Sequence, residues 1–502
     1  MSTSETLLSV LERGEPATPA IIVPDGPRLS YGELREEVRR AADAFAQFGL
    51  GRSDRIALVL PNGAACLVCF LAAAIAATAA PLNQAYSEDE FRFYMEDTGA
   101  RALVVPRGSG AAARRALPPG AILIEAALEP VGSGATLRLE SDAPRLAEQT
   151  AGAPTGDEIA LVLHTSGTTS RPKRVPLRHR NLAASLEHIV AGYALTPDDI
   201  SLCVMPLFHV HGLVASALAT FRSGGTVVVP ERFDPLGFWP VAAAHRATWY
   251  SAVPTIHQLL LARAREGERP PGAETLRFIR SCSSALSPAT MAGLEARFGA
   301  PVLEAYGMTE AAHQMASNPL PPGARRPGTV GQATGIRVAI MDDIGTLLPQ
   351  GASGEVVIQG PNVIDGYEGN AEANATSFTQ GWFRTGDLGA LDGDGYLSLL
   401  SRLKELINRG GEKISPREVD EVLLTHPAVA EAVAFGVPHR TWGEEVAAAV
   451  VLASPATAAD LIDHCRAHLA AFKVPRTIHL VEAIPRTATG KVQRRNVAAA
   501  LQ

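Results

Sequence analysis

The segment Thr165-Ser166-Gly167-Thr168-Thr169-Ser170-Arg171-Pro172-Lys173 gathers hydroxyl side chains around one glycine and closes with two cations. Backbone N–H groups, hydroxyls and positive charge on a turning loop suit a polyphosphate, whose oxygens each accept several hydrogen bonds. The spacing does not fit G-x-x-x-x-G-K-[ST], so this is not a Walker A loop. Alone, a Ser/Thr/Gly stretch is also what an ordinary linker looks like. Four more segments follow it: EAYGMTE (304–310), GWFRTGDLG (381–389), SRLKELINRGGEKISP (401–416) and PRTATGKVQRR (485–495).

In this order and at these separations, the five segments resemble the core motifs of the adenylate-forming superfamily of acyl-CoA synthetases, adenylation domains and luciferases. The likeness runs from about Ser30 to Arg495. It implies an ATP-dependent acid:CoA ligase that makes an acyl-AMP and passes the acyl group to a thiol, using ATP, Mg²⁺ and coenzyme A. Motif by motif, it implies that Thr165, Ser166, Gly167, Thr168, Thr169 and Lys173 hold the β- and γ-phosphates. Ser283, Ser284 and Ala285, with Glu304, Ala305, Tyr306 and Gly307, border the adenine, Tyr306 offering a flat apolar face. Thr309 binds phosphate, and Glu310 holds Mg²⁺, a hard cation that prefers oxygen. Asp387 accepts the ribose hydroxyls with Arg402 beside it, and Lys491 meets the charge that moves during adenylation. Lys404 falls at the hinge of a rotating C-terminal domain. Gly410 and Gly411, lacking side chains, let a thiol arm approach. Two positions depart from the family: Arg174 stands where a glycine is usual and Ser401 where another glycine is, so extra bulk and charge border the phosphate loop and the hinge approach.

By the same likeness His209 and His211 of PLFHVHGL, Ser281 and Ser283 of RSCSSA, and His313 of TEAAHQMASNPLP border the acid, with His209 also a catalytic candidate. The runs FHVHGL, ATWYSAVPTIHQ, FIRSCSSAL, EAYGMTEAAHQMASNPLP and NRGGEKISP are similar to the oxalate:CoA ligase branch. A two-carbon diacid has no hydrocarbon to bury, so its distal carboxylate needs donors such as His and Ser. A short- or medium-chain fatty acyl-CoA synthetase would set the same residues beside an apolar tunnel. An adenylation enzyme loading a carrier protein would share the ATP site, but no carrier module is fused here. A nucleotide-binding protein without activity would be expected to lack Lys491 or Glu310, and both are present.

Elements that position such loops follow from the apolar pattern. SYGELREEVRRAADAFAQFGL has helical spacing with a start at Ser30 and a stop near Gly49. RIALVLPNG, ARALVVP, GTVVVP and ATWYSAVPTIHQLLLARA place short apolar strands ahead of helices, an α/β alternation with a largely parallel sheet. From Gly328 to Leu400 short alternating segments with frequent glycine predict a small β-rich subdomain. After Arg402 helices and strands return. The expected architecture is a large N-terminal AMP- and acyl-binding domain (1–402) of α/β subdomains and one β-rich subdomain, followed by a smaller, mobile α+β catalytic domain (403–502).

With 502 residues the chain allows about three units of ~150 residues, and 46% apolar with 19% charged residues is globular composition. A formal charge of −7 gives no basic footprint for nucleic acid. The uncharged run Ala64–Ala80 ends at Pro81 and reads as a buried helix rather than a membrane span. The acidic start MSTSETLLSVLERGEP does not resemble an export signal, and five scattered cysteines suit a reducing cytoplasm. The sequence leaves oligomeric state open.

Overall fold

The computed structural model describes residues 6–132, 134–146, 149–165, 172–265, 267–486 and 492–501. The helix predicted from Ser30 spans Tyr31–Gln47; the Ser30 hydroxyl accepts the Glu33 N–H while the Glu33 carboxylate takes the Ser30 N–H. This reciprocal cap satisfies two donors that the first turn leaves open and is worth about 1 kcal/mol. Its apolar face, including Leu34, Val38 and Phe45, is fully buried. The alanine-rich helix is shorter than its sequence suggests. It ends at Ala76, and Thr78–Pro81 continues as a buried strand. Among the described residues no helix is long and apolar enough to cross a membrane. All five cysteines are buried and free.

Two large sheets carry the chain up to Ala333. A seven-stranded sheet is parallel through Ala102–Pro106, Arg55–Leu58, Thr78–Pro81 and Ile159–His164, and ends on the antiparallel strand Arg174–Arg178. A nine-stranded sheet is parallel through Thr226–Val228, Ile200–Leu202, Trp249–Ala252, Phe278–Ser281 and Val302–Met308, then turns back antiparallel as His313–Ser317. Helices alternate with these strands, as buried parallel sheets require. The predicted β-rich segment is a five-stranded antiparallel sheet built from Arg337–Met341, Ser353–Gln359, Trp382–Leu391, Phe378–Thr379 and Leu397–Arg402. Beyond it a second five-stranded sheet, with helices Pro416–Leu424 and Ala458–His468, encloses its own core of Ile407, Ile414, Val419, Leu423 and Val446. Thr165 and the Thr309–Glu310 turn each follow the carboxyl end of a strand of these sheets, Ile159–His164 and Val302–Met308, the edge where open α/β sheets bind ligands.

Candidate active site

The phosphate loop is closed at its neck by the backbone: Thr165 N–H donates to the Lys173 carbonyl (3.0 Å) and Lys173 N–H to the Thr165 hydroxyl (3.1 Å). Ser166, Gly167, Thr168 and Thr169 lie outside the described residues, as does Lys491. Lys173 Nζ sits 4.3 Å from the centre of the Tyr367 ring. Burial lowers its pKa, the carboxylate of Glu310 works against that, and Lys404 adds to the depression. Glu310, on the 3₁₀ turn Thr309–Ala311 and 7% exposed, accepts the Tyr367 hydroxyl on Oε1 at 2.7 Å. Tyr367 carries no signal within the motifs and was not predicted; its position between Lys173 and Glu310 follows only from the tertiary fold.

Asp387 and Arg402 stand opposite each other on paired antiparallel strands, and Arg402 Nε reaches Asp387 Oδ1 at 2.6 Å. The hydroxyl of buried Tyr306 donates to the other Asp387 oxygen. Burial raises the Asp387 pKa, while Arg402 and the Tyr306 hydroxyl hold it back. Glu304, 1% exposed, accepts the Leu286 N–H on Oε1 (3.0 Å), and its Oε2 has no partner among the described residues. Burial pushes this carboxyl up to about 7. Ala305 is buried, whereas Ser284 and Ala285 are exposed on the loop after Ser283. Gly307 is dictated by packing, since a Cβ there would lie 2.1 Å from the His313 carbonyl oxygen.

His211 and His313, 1% and 2% exposed, lie with ring centroids 5.4 Å apart. His211 Nδ1 is 3.0 Å from the Ser283 hydroxyl and its Nε2 is 2.6 Å from the Ser251 hydroxyl. Ser283 and His313 both hold left-handed backbone, φ +75° and +93°, a strained state for side-chain-bearing residues that clusters at functional sites. His209 opens the short turn Val210–Gly212 and is half-buried. Ser281 does not join the two histidines. Strand side chains alternate, so Arg280 faces them and Ser281 turns to the other side in register with Ala252 and Glu304, its buried hydroxyl without a partner among the described residues. The sequence reading overlooked Arg280 and Ser251. Arg280 is fully buried and donates to Tyr193 Oη (2.7 Å), Ser251 Oγ (3.0 Å), His313 Nδ1 (3.3 Å) and Gln314 Oε1 (2.8 Å). An arginine inside the apolar strand run FIRS was the available signal.

Lys404 is exposed on the 3₁₀ turn Leu403–Glu405. Gly410 (φ +61°) and Gly411 (φ +97°) form the two-residue turn between Ile407–Arg409 and Glu412–Ile414, where both centres need positive φ. Gly410 packs against Trp442, whose ring a Cβ would meet at 2.8 Å, while Gly411 faces open space. Arg174 is held by residues outside the Thr165–Lys173 segment. Its guanidinium binds the Asp97 backbone carbonyl and lies 3.4 Å from both the Asp97 and Glu368 carboxylates. The Ser401 hydroxyl turns to the Arg402 carbonyl (3.3 Å).

Among the described residues no three metal-ligating side chains converge. A single carboxylate such as Glu310 nevertheless fits Mg²⁺, which usually keeps several waters and takes one or two carboxylates together with substrate phosphates.

Residues 11–368 match the AMP-binding enzyme family and residues 418–491 the AMP-binding enzyme C-terminal domain. The chain is 46% identical to an oxalate–CoA ligase of Arabidopsis thaliana, over 99% of this chain and 98% of that one. It is 38% identical to a sulfoacetate–CoA ligase of Cupriavidus necator, over 98% and 96%. Its fold superposes on ATP-bound MatB from Rhodopseudomonas palustris with a TM-score of 0.88, at 31% identity over 99% of each chain. The Asp387–Arg402–Tyr306 corner and the Lys173–Tyr367–Glu310 group stand among the matched motifs, and on these full-length matches the chain belongs to the AMP-binding enzyme family as an AMP-forming acid–CoA ligase.

Proposed function

We propose that the acid is oxalate and the product oxalyl-CoA. The observation that carries this reading is a cluster of polar side chains: His211, Ser283, Ser251, His313 and Arg280 converge in one hydrogen-bonded network anchored on a buried guanidinium. An alkyl tail set against such a cluster offers nothing to its buried positive charge or to a hydroxyl donor such as Ser283, whereas a second carboxylate engages both. In the first half-reaction a carboxylate oxygen attacks the α-phosphorus of ATP and pyrophosphate leaves. In the second the CoA thiolate attacks the acyl carbon and AMP leaves.

On this reading Thr165, Ser166, Gly167, Thr168, Thr169 and Lys173 hold the β- and γ-phosphates, with Thr309 alongside. Ser283, Ser284, Ala285 and Tyr306 frame the adenine, and Glu304, Ala305 and Gly307 shape the strand beneath it. Asp387 and Arg402 take the ribose. Glu310 holds Mg²⁺, which supplies charge neutralisation on the phosphates. Lys491 offsets the charge that shifts at the α-phosphate, and His209 with His211 and His313 orients the acid. Residues 1–402 form the AMP- and acyl-binding domain and 403–502 a domain that turns about Lys404, with Gly410 and Gly411 along the thiol's approach.

The test is kcat/KM for oxalate, malonate, acetate and octanoate, read as pyrophosphate release with ATP, Mg²⁺ and CoA in one buffer. Oxalate is expected to lead the others by at least about tenfold, the discrimination that unpaired buried donors impose. A comparable lead for octanoate would replace the polar pocket with a fatty-acid tunnel.

A further inference from the structure

We propose that Arg280 is the positioning residue of the acid site: it sets the tautomers of His313 and, through Ser251, of His211, and it gives the pocket the positive charge that selects an acid with a second anionic group. Arginine only donates hydrogen bonds. The Arg280 N–H aimed at His313 Nδ1 at 3.3 Å therefore requires a lone pair on that nitrogen. His313 is then neutral with its proton on Nε2, which lies 3.9 Å from the Cys282 sulfur.

The second branch follows the same logic. Ser251 is fully buried, and its Oγ already accepts from Arg280 Nη1 at 3.0 Å. Its own hydroxyl proton must go to an acceptor, and among the described residues that acceptor is His211 Nε2 at 2.6 Å. The His211 proton is thereby placed on Nδ1, which donates to Ser283 Oγ at 3.0 Å. Ser283 consequently keeps its own hydroxyl proton for a ligand. Arg280, Ser251, His211 and Ser283 form one directed chain of donors, each polarised by the one before, that starts on a permanent cation and ends at the half-buried loop residue. The remaining contacts of Arg280, Tyr193 and Gln314, are neutral oxygen acceptors that lock the guanidinium in place.

Charge completes the argument. A fully buried guanidinium is costly without an anion, and among the described residues no carboxylate lies within ion-pair reach of Arg280. The two imidazoles meet Arg280 from the strand Phe278–Ser281, Cys282 just after it, Ser251 from Trp249–Ala252, Ser283 from the loop beyond, and each other. None is acidic in its ordinary state at neutral pH. A diacid brings the missing negative charge and an alkyl acid does not. The substrate part of the proposal rests on the anionic-acid reading above; the tautomer part does not.

Long-range ¹H–¹⁵N correlation spectra of the full-length protein labelled at histidine nitrogens test the tautomers without any substitution. His313 is expected as Nε2–H and His211 as Nδ1–H, both neutral at about pH 7.5. The opposite tautomer or an imidazolium at either ring overturns the proposal. Kinetics test the charge. Arg280→Met, with its KM for ATP checked as evidence of an intact nucleotide site, should lose about 100-fold in kcat/KM for oxalate at about pH 8 but no more than about threefold for acetate. Near pH 6, where a histidine freed from the arginine can take a second proton and restore a cation, about tenfold of the oxalate loss should return. Arg280→Lys should retain more oxalate activity than Arg280→Met. Equal loss for both acids, or no recovery at low pH, reduces Arg280 to a packing residue. A wild-type enzyme that does not favour oxalate or malonate over acetate instead removes the diacid reading, and the spectra still decide the tautomers.

Discussion

Glu304 illustrates what a sheet can impose on one carboxyl group. It faces inward between strands, with one oxygen on the Leu286 N–H and the other unpartnered, and burial pushes its pKa up to about 7. The folded chain thus retains a proton that the unfolded chain releases near the ordinary glutamate pKa of about 4.3. Because the folded-state value is raised, the group's stabilising contribution is complete below that unfolded value and is lost as pH climbs through about 7. Glu304→Gln keeps an acceptor for Leu286 and cannot ionise. The variant should melt close to wild type near pH 5 and be more stable by about 1–3 kcal/mol near pH 8. Thermal melts at the two pH values read this directly, and a gap that does not change with pH would show that this carboxyl is not the titrating group. Ser281, in register with Glu304, owes its absence from the acid site to the same strand geometry.

At the scale of elements, the strand–helix alternation was legible because its period is local. Ser30 with Glu33, the short apolar runs, and the glycine-punctuated segment after Gly328 all signal through near neighbours. The border between the helix ending at Ala76 and the strand starting at Thr78 was not legible, because both sides are uniformly apolar and periodicity has nothing to contrast. The motifs announced the residue types of the nucleotide site, but register decides which distant side chains meet. Ser251 and Arg280 are 29 residues apart and Glu310 and Tyr367 are 57 apart, so no spacing pattern could pair them. The same limit applies to Arg174, which was expected to border the phosphate loop. Its charge joins the strand Arg174–Arg178 to Asp97 at the end of the helix Glu88–Thr98 and to Glu368, contacts that no spacing announces. Arg174→Gly should therefore cost stability, about 1–3 kcal/mol for a partly buried pair network, with the KM for ATP changed by less than about threefold. A large rise in that KM with an unchanged melting temperature would return Arg174 to the phosphate site.

At the scale of the whole molecule, the segment beyond Leu403 encloses a core with no members from the first four hundred residues. Arg494 binds Glu405 (3.1 Å) and Asp420 (2.6 Å), which ties the chain's last helix to the start of that segment. Among the described residues polar contacts cross the junction: Ser415 Oγ donates to the Leu400 carbonyl and Arg417 to the Leu399 carbonyl, each 2.6 Å. Such contacts exchange readily with water, so they do not by themselves oppose a rotation about the turn Leu403–Glu405. A proline at position 404 fixes φ near −65°, a value that a 3₁₀ turn accepts and that a turn rotated into a different backbone state does not. Lys404→Pro should accordingly keep acyl-AMP formation, measured as pyrophosphate release, and lose thioester formation from supplied acyl-AMP and CoA. Lys491→Ala should do the reverse, slowing adenylation by about 10²–10³, the usual cost of a lost transition-state charge contact, while sparing thioester formation. The two variants make opposite use of the same pair of assays. If Lys404→Pro runs both half-reactions at wild-type rates while Lys491→Ala still separates them, the domain does not turn at this residue, and the search for the hinge moves along the chain.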